Sequence, residues 1–361
     1  MIEVIENPGG ALDEALAAFL AAAKPSWGVC PEHDPRWLQV FHEALGHRPM
    51  MLIARSGGQE GPVVGYLPLC LIASRLFGRF LVSLPYINRA GVVATGEDVA
   101  AALIDEAARQ AERLHVDYLE LRHHGPVFEH EKLGLRRDEK VRMVLNLPED
   151  KEVLWKAIGP KVRNQVRKGD KSGLSIRWGG GQLLDDFYDV FAVNMRDLGT
   201  PVFPKGLFGS ILSHFGSESE LAVVYNGEKA VAGGLLVHDG GGQAGSGRSA
   251  STQVPSASSL RRFNWTNANM WMYHHLLVRS IERGSKEFDF GRSSEGSGTY
   301  RFKRQWGAAP CPTVWQYHVR RGDISAMRPD SPKNRRRVAT WRKLPVWLTR
   351  LVGPRIVRGI P

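Results

Sequence analysis

The sequence predicts an α/β (α+β) protein with two tandem domains of the same kind and a basic C-terminal tail. Residues 64–69 align with 232–237 at an offset of 168, and residues 117–122 align with 287–292 at an offset of 170. Both pairs occur in the same order of hairpin, long helix and strand, which indicates a duplicated unit. Chance similarity of generic patterns is the alternative. The predicted units are an N-terminal domain at 1–150, a C-terminal domain with the active site at 151–325, and the tail at 326–361.

The positive charge of the chain is concentrated at its C-terminus. The 361 residues carry a formal net charge of +11, but residues 331–361 contain nine Lys or Arg and no Asp or Glu, which leaves +2 for the first 330 residues. This distribution argues against a uniformly basic protein that coats nucleic acid. Three scattered cysteines without a CxxC pair, and the lack of a signal-like or membrane-spanning stretch, favour a reducing, cytoplasmic setting.

Hydrophobic periodicity and turn residues predict the secondary structure in chain order. The predicted helices are 11–23, 34–46, 98–114, one beginning at Pro160, 183–198 and 266–283. The predicted strands are 2–6, 50–55, 63–74, 117–122, 143–147, 174–178, 221–225, 230–238 and one beginning at 287. Pro68 predicts that the strand at 63–74 is an edge or irregular strand. The Asn226-Gly227 pair predicts a hairpin turn.

A cationic segment joins the two predicted domains. On a helix that begins at Pro160, Arg163 and Arg167 share a face, with Lys168 beside Arg167. Guanidinium groups in this arrangement suit a phosphate-bearing substrate. The alternative is an amphipathic linker helix with a solvated charged face.

The chain from 286 to 307 combines a strand, a glycine-rich turn and a short helix. Six of the eight residues at 291–298 are Gly or Ser, so the backbone can turn tightly and direct several N–H groups to one place. Thr299 is the predicted N-cap of a helical turn that carries Lys303. Together these features predict a receptor for an anion or a developing oxyanion. An ordinary strand–loop–helix connection is the alternative.

Four segments resemble the FemAB family. Residues 161–174 (KVRNQVRKGDKSGL) resemble its interdomain segment, and residues 288–292 (FDFGR) followed by 300–303 (YRFK) resemble its C-terminal strand and FK motif. Residues 194–201 (NMRDLGTP) resemble the branch associated with exosortase (PEP-CTERM) and exopolysaccharide loci. The resemblance covers roughly residues 1–320.

The resemblance implies two tandem GNAT-type acyltransferase domains and assigns roles to some residues. Lys303 matches the FK lysine, which is expected to stabilise the oxyanion of the acyl-transfer intermediate. Asp289 is a candidate general base by its chemistry, as are Glu295, His274 and His275. The predicted catalytic residues are Lys303 and Asp289. The predicted substrate-binding residues are Arg163, Arg167, Lys168, Arg292, Gly296, Gly298 and Tyr300.

The acyl donor is expected to be aminoacyl-tRNA or acyl-CoA, with no tightly bound cofactor. GNAT enzymes usually hold acetyl-CoA on a glycine-containing loop that opens a helix, whereas residues 262–268 contain no glycine. This difference counts against the usual mode of diphosphate binding. His42 and His47 have HExxxH rather than HExxH spacing, so they diverge on a helix and predict no zinc site.

The tail interleaves basic and bulky apolar residues between Trp341 and Val352. This combination is typical of a contact with an anionic membrane surface. RNA binding and docking of the tail onto the protein itself are the alternatives.

These observations predict a cytoplasmic acyltransferase, peripheral at the inner membrane through its tail. Its acceptor would be a phosphate-bearing glycan, an exopolysaccharide precursor or another cell-envelope precursor, with tRNA as one candidate donor partner. The alternatives are an acetyl-CoA-dependent N-acetyltransferase acting on a sugar or amine, and a non-catalytic protein that binds RNA or envelope glycolipid.

Overall fold

The structure is a computed structural model that describes residues 1–8, 13–125, 127–322 and 332–361, without the side chains of 332–336. The helices are α1 (Glu14–Ala22), α2 (Arg36–Leu45), α3 (Glu97–Arg113), α4 (Lys151–Ala157), α5 (Pro160–Lys171), α6 (Leu184–Leu198), α7 (Lys205–Phe215), α8 (Ala268–Glu282), α9 (Gly298–Arg304), α10 (Pro332–Trp341) and α11 (Val346–Val357). The strands are β1 (Ile2–Glu6), β2 (Arg48–Arg55), β3 (Val63–Ser74), β4 (Gly78–Val82), β5 (Val93–Ala94), β6 (Tyr118–His123), β7 (Leu135–Arg137), β8 (Lys140–Asn146), β9 (Leu174–Gly179), β10 (Ser219–Asn226), β11 (Lys229–Asp239), β12 (Ser251–Ser259), β13 (Glu287–Ser294), β14 (Ala309–Pro312) and β15 (Val314–Val319).

The strands form two sheets with equivalent strand orders. The first sheet has the order β1-β2-β3-β4-β6-β15-β7, with β5 also paired to β3, and the second has the order β9-β10-β11-β12-β13-β8-β14. In each sheet the fourth and fifth strands are parallel and are joined by a long helix, α3 or α8. The aligned segments 64–69 and 232–237 lie in β3 and β11, which occupy equivalent positions. The predicted duplication is therefore confirmed.

The two sheets exchange their sixth strands. β8 precedes the predicted start of the second domain but pairs antiparallel with β13 of the second sheet. β15 comes from the end of the second half but pairs antiparallel with β6 of the first sheet. The segments 1–150 and 151–325 thus each supply a strand to the sheet of the other. The predicted boundary at 325 and 326 lies outside the described residues.

One local prediction was wrong, and another held only in part, because β3 has a register shift against β2 but is not an edge strand. β3 is an interior strand, because it pairs with β2 on one side and with β4 and β5 on the other. Pro68 is tolerated there because pairing with β5 ends at Tyr66 and pairing with β4 begins at Cys70, so the proline lies in the gap between them. The N-cap of α9 is Ser297 rather than Thr299, and its hydroxyl accepts a hydrogen bond from Tyr300 N at 3.1 Å.

Other elements agree with the predictions apart from their ends. The predicted helix at 11–23 is seen from Glu14 onward, while residues 11 and 12 lie outside the described part. Asp13 caps this helix by accepting hydrogen bonds from the N–H groups of Ala15 and Leu16. α5 begins at Pro160 as predicted, in the first-turn position where proline costs no hydrogen bond.

A hydrophobic core joins the two halves. α2 of the first half packs against α7 of the second, and the rings of Trp37 and Phe215 lie 4.7 Å apart. An ion pair of 2.5 Å between Arg36 and Glu218 borders this contact. Trp37 is 2% exposed, so its burial stabilises the junction by roughly 2–3 kcal/mol. The halves therefore share apolar surface.

The tail folds back onto both halves. α11 packs on α6, where Arg350 forms an ion pair of 2.6 Å with Asp189. A side chain at Gly353 would meet Val202, so glycine permits the close approach. In the first half, Tyr86 donates a hydrogen bond to the carbonyl of Val357 at 3.2 Å. Docking on the protein, one of the three alternatives for the tail, is thus present.

Candidate active site

Two neighbouring strands of the second sheet, β12 and β13, diverge and leave a cavity between the two halves of the chain. β12 and β13 pair only at Ser251–Gln253, and beyond this point a cavity of about 520 Å³ is lined by residues of both halves. In the first sheet the equivalent gap, beyond the pairing of β4 with β6, is closed by hydrogen bonds. Ser83 N donates to the carbonyl of Glu120 and Ala90 N donates to the carbonyl of Arg122, both at 2.9 Å. The site predicted in the second copy therefore has space for substrates where the first copy is closed.

A bulge in β13 shapes one wall of this cavity. Two residues of β13, Phe290 and Gly291, face one residue of β8, Met143. Gly291 has φ 76°, a left-handed conformation that glycine adopts without a steric penalty. The carboxylate of Asp289 accepts a hydrogen bond of 2.7 Å from Gly291 N and holds the turn. The bulge directs two backbone carbonyls toward α9.

Lys303 lies on α9 and reaches these carbonyls from the cavity wall. Its Nζ donates to the carbonyl oxygens of Gly291 and Arg292, each at 3.0 Å, and the residue is only 8% exposed. An ammonium carries three protons, so one remains for a ligand. Burial lowers the pKa of Lys303 to about 8, and the charge of Asp289 opposes this effect. The group is still mostly protonated at neutral pH and can stabilise negative charge.

Asp289 is fully engaged by its neighbours. Besides Gly291 N, it accepts a hydrogen bond of 3.1 Å from Arg142, and Arg89 lies 3.9 Å away. Asp289 thus connects β13 to β8 through Arg142, and it lies near Arg89 of the first half of the chain. The carboxylate lines the cavity, but its contacts favour holding the bulge over removing a proton from substrate.

Arg292 brings a positive charge without a carboxylate partner into the same cavity. Its guanidinium lies 4.0 Å from the ring centre of Trp315, and that of Arg122 lies at the same distance. Arg122 forms an ion pair of 2.6 Å with Glu120, whereas no ion pair of Arg292 is found within the described part of the chain. Burial, with the charge of Arg122, lowers the pKa of Arg292 to about 10. An anionic substrate group would give this guanidinium a direct ionic partner.

Glu32, which sequence reasoning missed, faces the cavity from the first half. It is 2% exposed, and its Oε1 accepts a hydrogen bond of 2.8 Å from Arg89 Nε. Its Oε2 is buried and has no hydrogen-bond partner among the residues that the structure describes. A buried carboxylate oxygen with a free lone pair can accept a proton. The sequence carried no signal for it, because the fold alone brings residue 32 to the bulge of β13.

The cationic residues of α5 lie elsewhere. Arg163 donates to the carbonyl of Ile158 at 2.5 Å and so caps the preceding helix. The guanidinium of Arg167 lies 5.5 Å from the ring centre of Trp155, and Lys168 is exposed. None of the three lines the cavity. Their predicted contact with substrate phosphates stays a prediction.

The remaining predicted residues lie on α8 and α9 or next to α9. Gly296 is exposed in the turn before α9, Gly298 is exposed as the first residue of α9, and Tyr300 packs against the core of the second half. Burial lowers the pKa of His274 to about 4, and neither His274 nor His275 lines the cavity. Of the predicted site residues, the fold therefore brings Lys303, Asp289 and Arg292 together.

A second cavity of about 510 Å³ lies between the halves, beside Cys30 and His33. The Cys30 Sγ lies 3.0 Å from His33 Nδ1, but burial raises the pKa of the thiol and lowers that of the imidazole to about 4. The pair is therefore neutral and does not supply a thiolate nucleophile. Across the described residues, no group of three His, Cys, Asp or Glu side chains could hold a metal ion.

The connection from β12 to α8 carries exposed polar groups where acetyltransferases of the GNAT type usually hold their acyl donor. It forms a 3-10 turn at Arg261–Thr266, with Arg261 and Arg262 exposed. Asn267 has φ 57° and supplies the left-handed conformation that glycine usually provides. The absence of glycine at 262–268 therefore does not prevent the turn. Arg261 and Arg262 do not line the cavity, and the Thr266 hydroxyl accepts a hydrogen bond from Ala268 N at the start of α8.

Comparison with known proteins agrees with this architecture. The model of an acetyltransferase (GNAT) domain matches residues 160–304. The crystal structure of FemX is 12% identical with a TM-score of 0.62, covering 88% of this chain and 97% of that chain. A tandem GNAT protein from the clavulanic acid biosynthesis pathway is 14% identical with a TM-score of 0.55, covering 90% of this chain and all of that chain. No curated protein matches the chain.

The fold and the matched domain define the class of the protein. It has the fold of two tandem GNAT-type domains, as predicted, and the acetyltransferase domain matched at residues 160–304 makes it an acyltransferase. The matched residues contain the bulge of β13, Arg292 and Lys303. The cavity at the split of the second sheet is accordingly the candidate active site.

Proposed function

We propose that the protein transfers an acyl group from acyl-CoA to an amine or hydroxyl group of an anionic cell-envelope precursor. The observation that carries this proposal is the buried ammonium of Lys303, held at the cavity wall with one N–H free. Arg292 and Glu32 face the same cavity. These three groups supply what acyl transfer requires: a stabilised oxyanion, a bound substrate anion and a base.

The roles of the three groups follow from their contacts. Attack of the acceptor on the acyl carbonyl makes a tetrahedral oxyanion, and the free N–H of Lys303 donates to it. Oε2 of Glu32 takes the proton that the acceptor loses and returns it to the departing thiolate. Asp289 holds the bulge and, through it, the carbonyls that position Lys303.

Arg292 selects the acceptor by charge. A guanidinium without a carboxylate partner in a partly desolvated site favours a phosphate or carboxylate over a neutral group. Phosphate-bearing envelope precursors have this chemistry. The resemblance to the FemAB family, and to its exosortase-associated branch, supports cell-wall and exopolysaccharide precursors as the first acceptors to test.

Acyl-CoA is the proposed donor because GNAT domains use it as their co-substrate. Arg261 and Arg262 are the groups that would hold its phosphates, and it would supply an activated thioester. Aminoacyl-tRNA, implied by the FemAB resemblance, is the alternative donor. The two differ in the size of the carrier, so a direct assay separates them.

The test measures transfer from labelled acetyl-CoA and, separately, from labelled aminoacyl-tRNA to nucleotide-linked and lipid-linked envelope precursors. Lys303→Met keeps the shape of the side chain and removes its charge, and it should lower kcat by about 100- to 1,000-fold. Lys286→Met is the matched control, because Lys286 lies at the start of the same strand region with an exposed ion pair to Glu149. It should retain the wild-type rate.

Three outcomes would contradict the proposal. Full activity in Lys303→Met would remove the oxyanion role. Transfer from aminoacyl-tRNA alone would replace the donor. Binding of precursors without turnover from either donor would favour a non-catalytic binding protein.

A further inference from the structure

The two faces of α11 differ sharply in environment. Thr349, Gly353 and Val357 recur at a spacing of four residues and are buried against the body of the protein. On the opposite face, Trp347 is 67% exposed and Leu351 is 58% exposed. Packing within the described chain therefore explains the inner face of α11 and leaves two large apolar side chains in solvent.

Cations surround this apolar pair. Among the tail side chains that the structure describes, Arg337, Arg342, Lys343, Arg355 and Arg358 are exposed, and residues 331–361 contain no Asp or Glu. Arg355 follows Leu351 by four residues and so extends the same face. Arg350 is neutralised by Asp189 of α6. Of Arg342, Lys343, Arg355 and Arg358, none has an ion pair in the described part of the chain.

We propose that this face, formed by Trp347, Leu351 and Arg355 with Arg342, Lys343 and Arg358 at its ends, binds an anionic lipid bilayer. We call it the α11 surface. Trp and Leu would enter the headgroup boundary while the cations contact anionic headgroups. Within the described residues no helix is long and apolar enough to cross a membrane. α11, about 18 Å long at 1.5 Å per residue, would therefore lie flat on the surface.

The aliphatic member of the pair distinguishes a bilayer from RNA. RNA surfaces combine cations with planar rings on which bases stack. Leu351 has no planar face, but its insertion among acyl chains is favourable. Leu76, which is 82% exposed, adds a further aliphatic side chain close to the tail, because Gly359 packs against the neighbouring Ser74.

The α11 surface lies beside the wall of the candidate active site. Leu198 lines the cavity, and its carbonyl accepts a hydrogen bond of 3.2 Å from Arg342. Tyr86 also lines the cavity and donates to the last turn of α11. If the proposed acyl transfer is correct, a lipid-linked acceptor would reach the cavity from the bilayer. The docking itself does not depend on that activity.

The experiment is co-sedimentation of the full chain with vesicles of phosphatidylcholine alone and with vesicles that also contain phosphatidylglycerol. We expect binding only to the anionic vesicles, with a loss at high salt. Trp347→Ser with Leu351→Ser should weaken this binding at least tenfold and leave the circular dichroism melting curve unchanged, because both side chains are exposed. The matched control is Trp265→Ser with Val153→Ser, since these side chains are 57% and 52% exposed outside the tail. It should bind as the wild type does.

A second pair of substitutions tests the electrostatic part. Arg355→Gln with Arg358→Gln should also weaken binding to anionic vesicles and should reduce its salt dependence. If Trp347→Ser with Leu351→Ser melts at a lower temperature, its weaker binding is not evidence about the surface, and the arginine variant then provides the test. The proposal is overturned by an absence of vesicle binding, by equal binding to neutral vesicles, by unchanged binding of both variants, or by retention on an RNA oligonucleotide but not on vesicles. No acyl donor is present, so failure here is distinct from failure of the proposed acyl transfer.

Discussion

Lys303 is buried among backbone carbonyls, and this environment sets a pH limit on activity. Burial lowers its pKa to about 8. Oxyanion stabilisation requires the protonated form, which is lost as the pH rises through this value. The rate of acyl transfer should therefore fall by about tenfold per pH unit above pH 8, whereas an ordinary lysine would remain charged to above pH 10.

This pH dependence is measured as kcat against pH with saturating donor. The residual activity of Lys303→Met is the control and should not show the fall. A wild-type rate that stays constant to pH 10 would assign the oxyanion to another group.

Substitution of Glu32 distinguishes an effect on the chemical step, seen in kcat, from an effect on donor binding, seen in KM. Glu32→Gln keeps the hydrogen bond from Arg89 but cannot accept a proton, so kcat should fall by about 100-fold or more while KM for the donor stays close to its wild-type value. Glu220→Gln is a matched control, because Glu220 is buried with an ion pair of 2.8 Å to Arg279 away from the cavity. Equal kcat in Glu32→Gln and wild type would exclude the base role.

Sequence reasoning picked out cavity-lining residues where they lie within one segment. Lys303, Asp289 and Arg292 follow one another along β13 and α9, so the motif and the glycine-rich turn indicated them together. Glu32 was missed because its partners come from distant parts of the chain. The carboxylate of Asp289 was predicted as a base, but the structure engages both of its oxygens, a detail of backbone geometry that residue type does not contain.

At the scale of elements, the bulge of β13 is the feature that connects fold and chemistry. Gly291→Ala places a side chain at φ 76° and should destabilise the protein by about 1–2 kcal/mol. It should also lower kcat, because the carbonyls that hold Lys303 shift when the bulge relaxes. Thermal unfolding and the acyl-transfer assay measure the two effects.

Gly284→Ala is the matched control for this substitution. Gly284 has φ 78° after the end of α8, with nothing near the position that a Cβ would occupy. It should cost similar stability and leave kcat unchanged. A parallel loss of activity in both variants would show that stability alone explains the effect of Gly291→Ala.

The helices and strands themselves were largely predictable, because hydrophobic periodicity records which face of each element is buried. α3 and β6 lie within a residue of their predicted bounds. The interior position of β3 was missed, because the gap that accommodates Pro68 depends on where two neighbouring strands begin and end. Pairing between distant strands leaves no local pattern to detect.

At the scale of the whole molecule, the strand exchange makes each half depend on the other. A chain ending at residue 313 lacks β15 and leaves the edge of β6 unpaired, and an exposed edge promotes association. A chain ending at 322 keeps β15 and lacks only the segment from 323 onward. We expect the shorter chain to aggregate or melt at a lower temperature than the longer one, measured by light scattering and thermal unfolding.

Equal solubility and cooperative melting of the two truncated chains would contradict this dependence. The longer chain is the control, because it has also lost α11 and its contacts with both halves. Any difference between the two chains therefore reports the contribution of residues 314–322.

The exchange of β15 also has a consequence for the order of events during synthesis. Most strands of the first sheet precede residue 138, yet its sixth strand, β15, is synthesised after every strand of the second sheet. One edge of β6 therefore stays unpaired until nearly all of the second half has been synthesised. Because Trp315 on that late strand stacks with Arg292, pairing of β15 also positions a guanidinium that lines the cavity. A nascent chain interrupted before this point has neither a finished first sheet nor an assembled site.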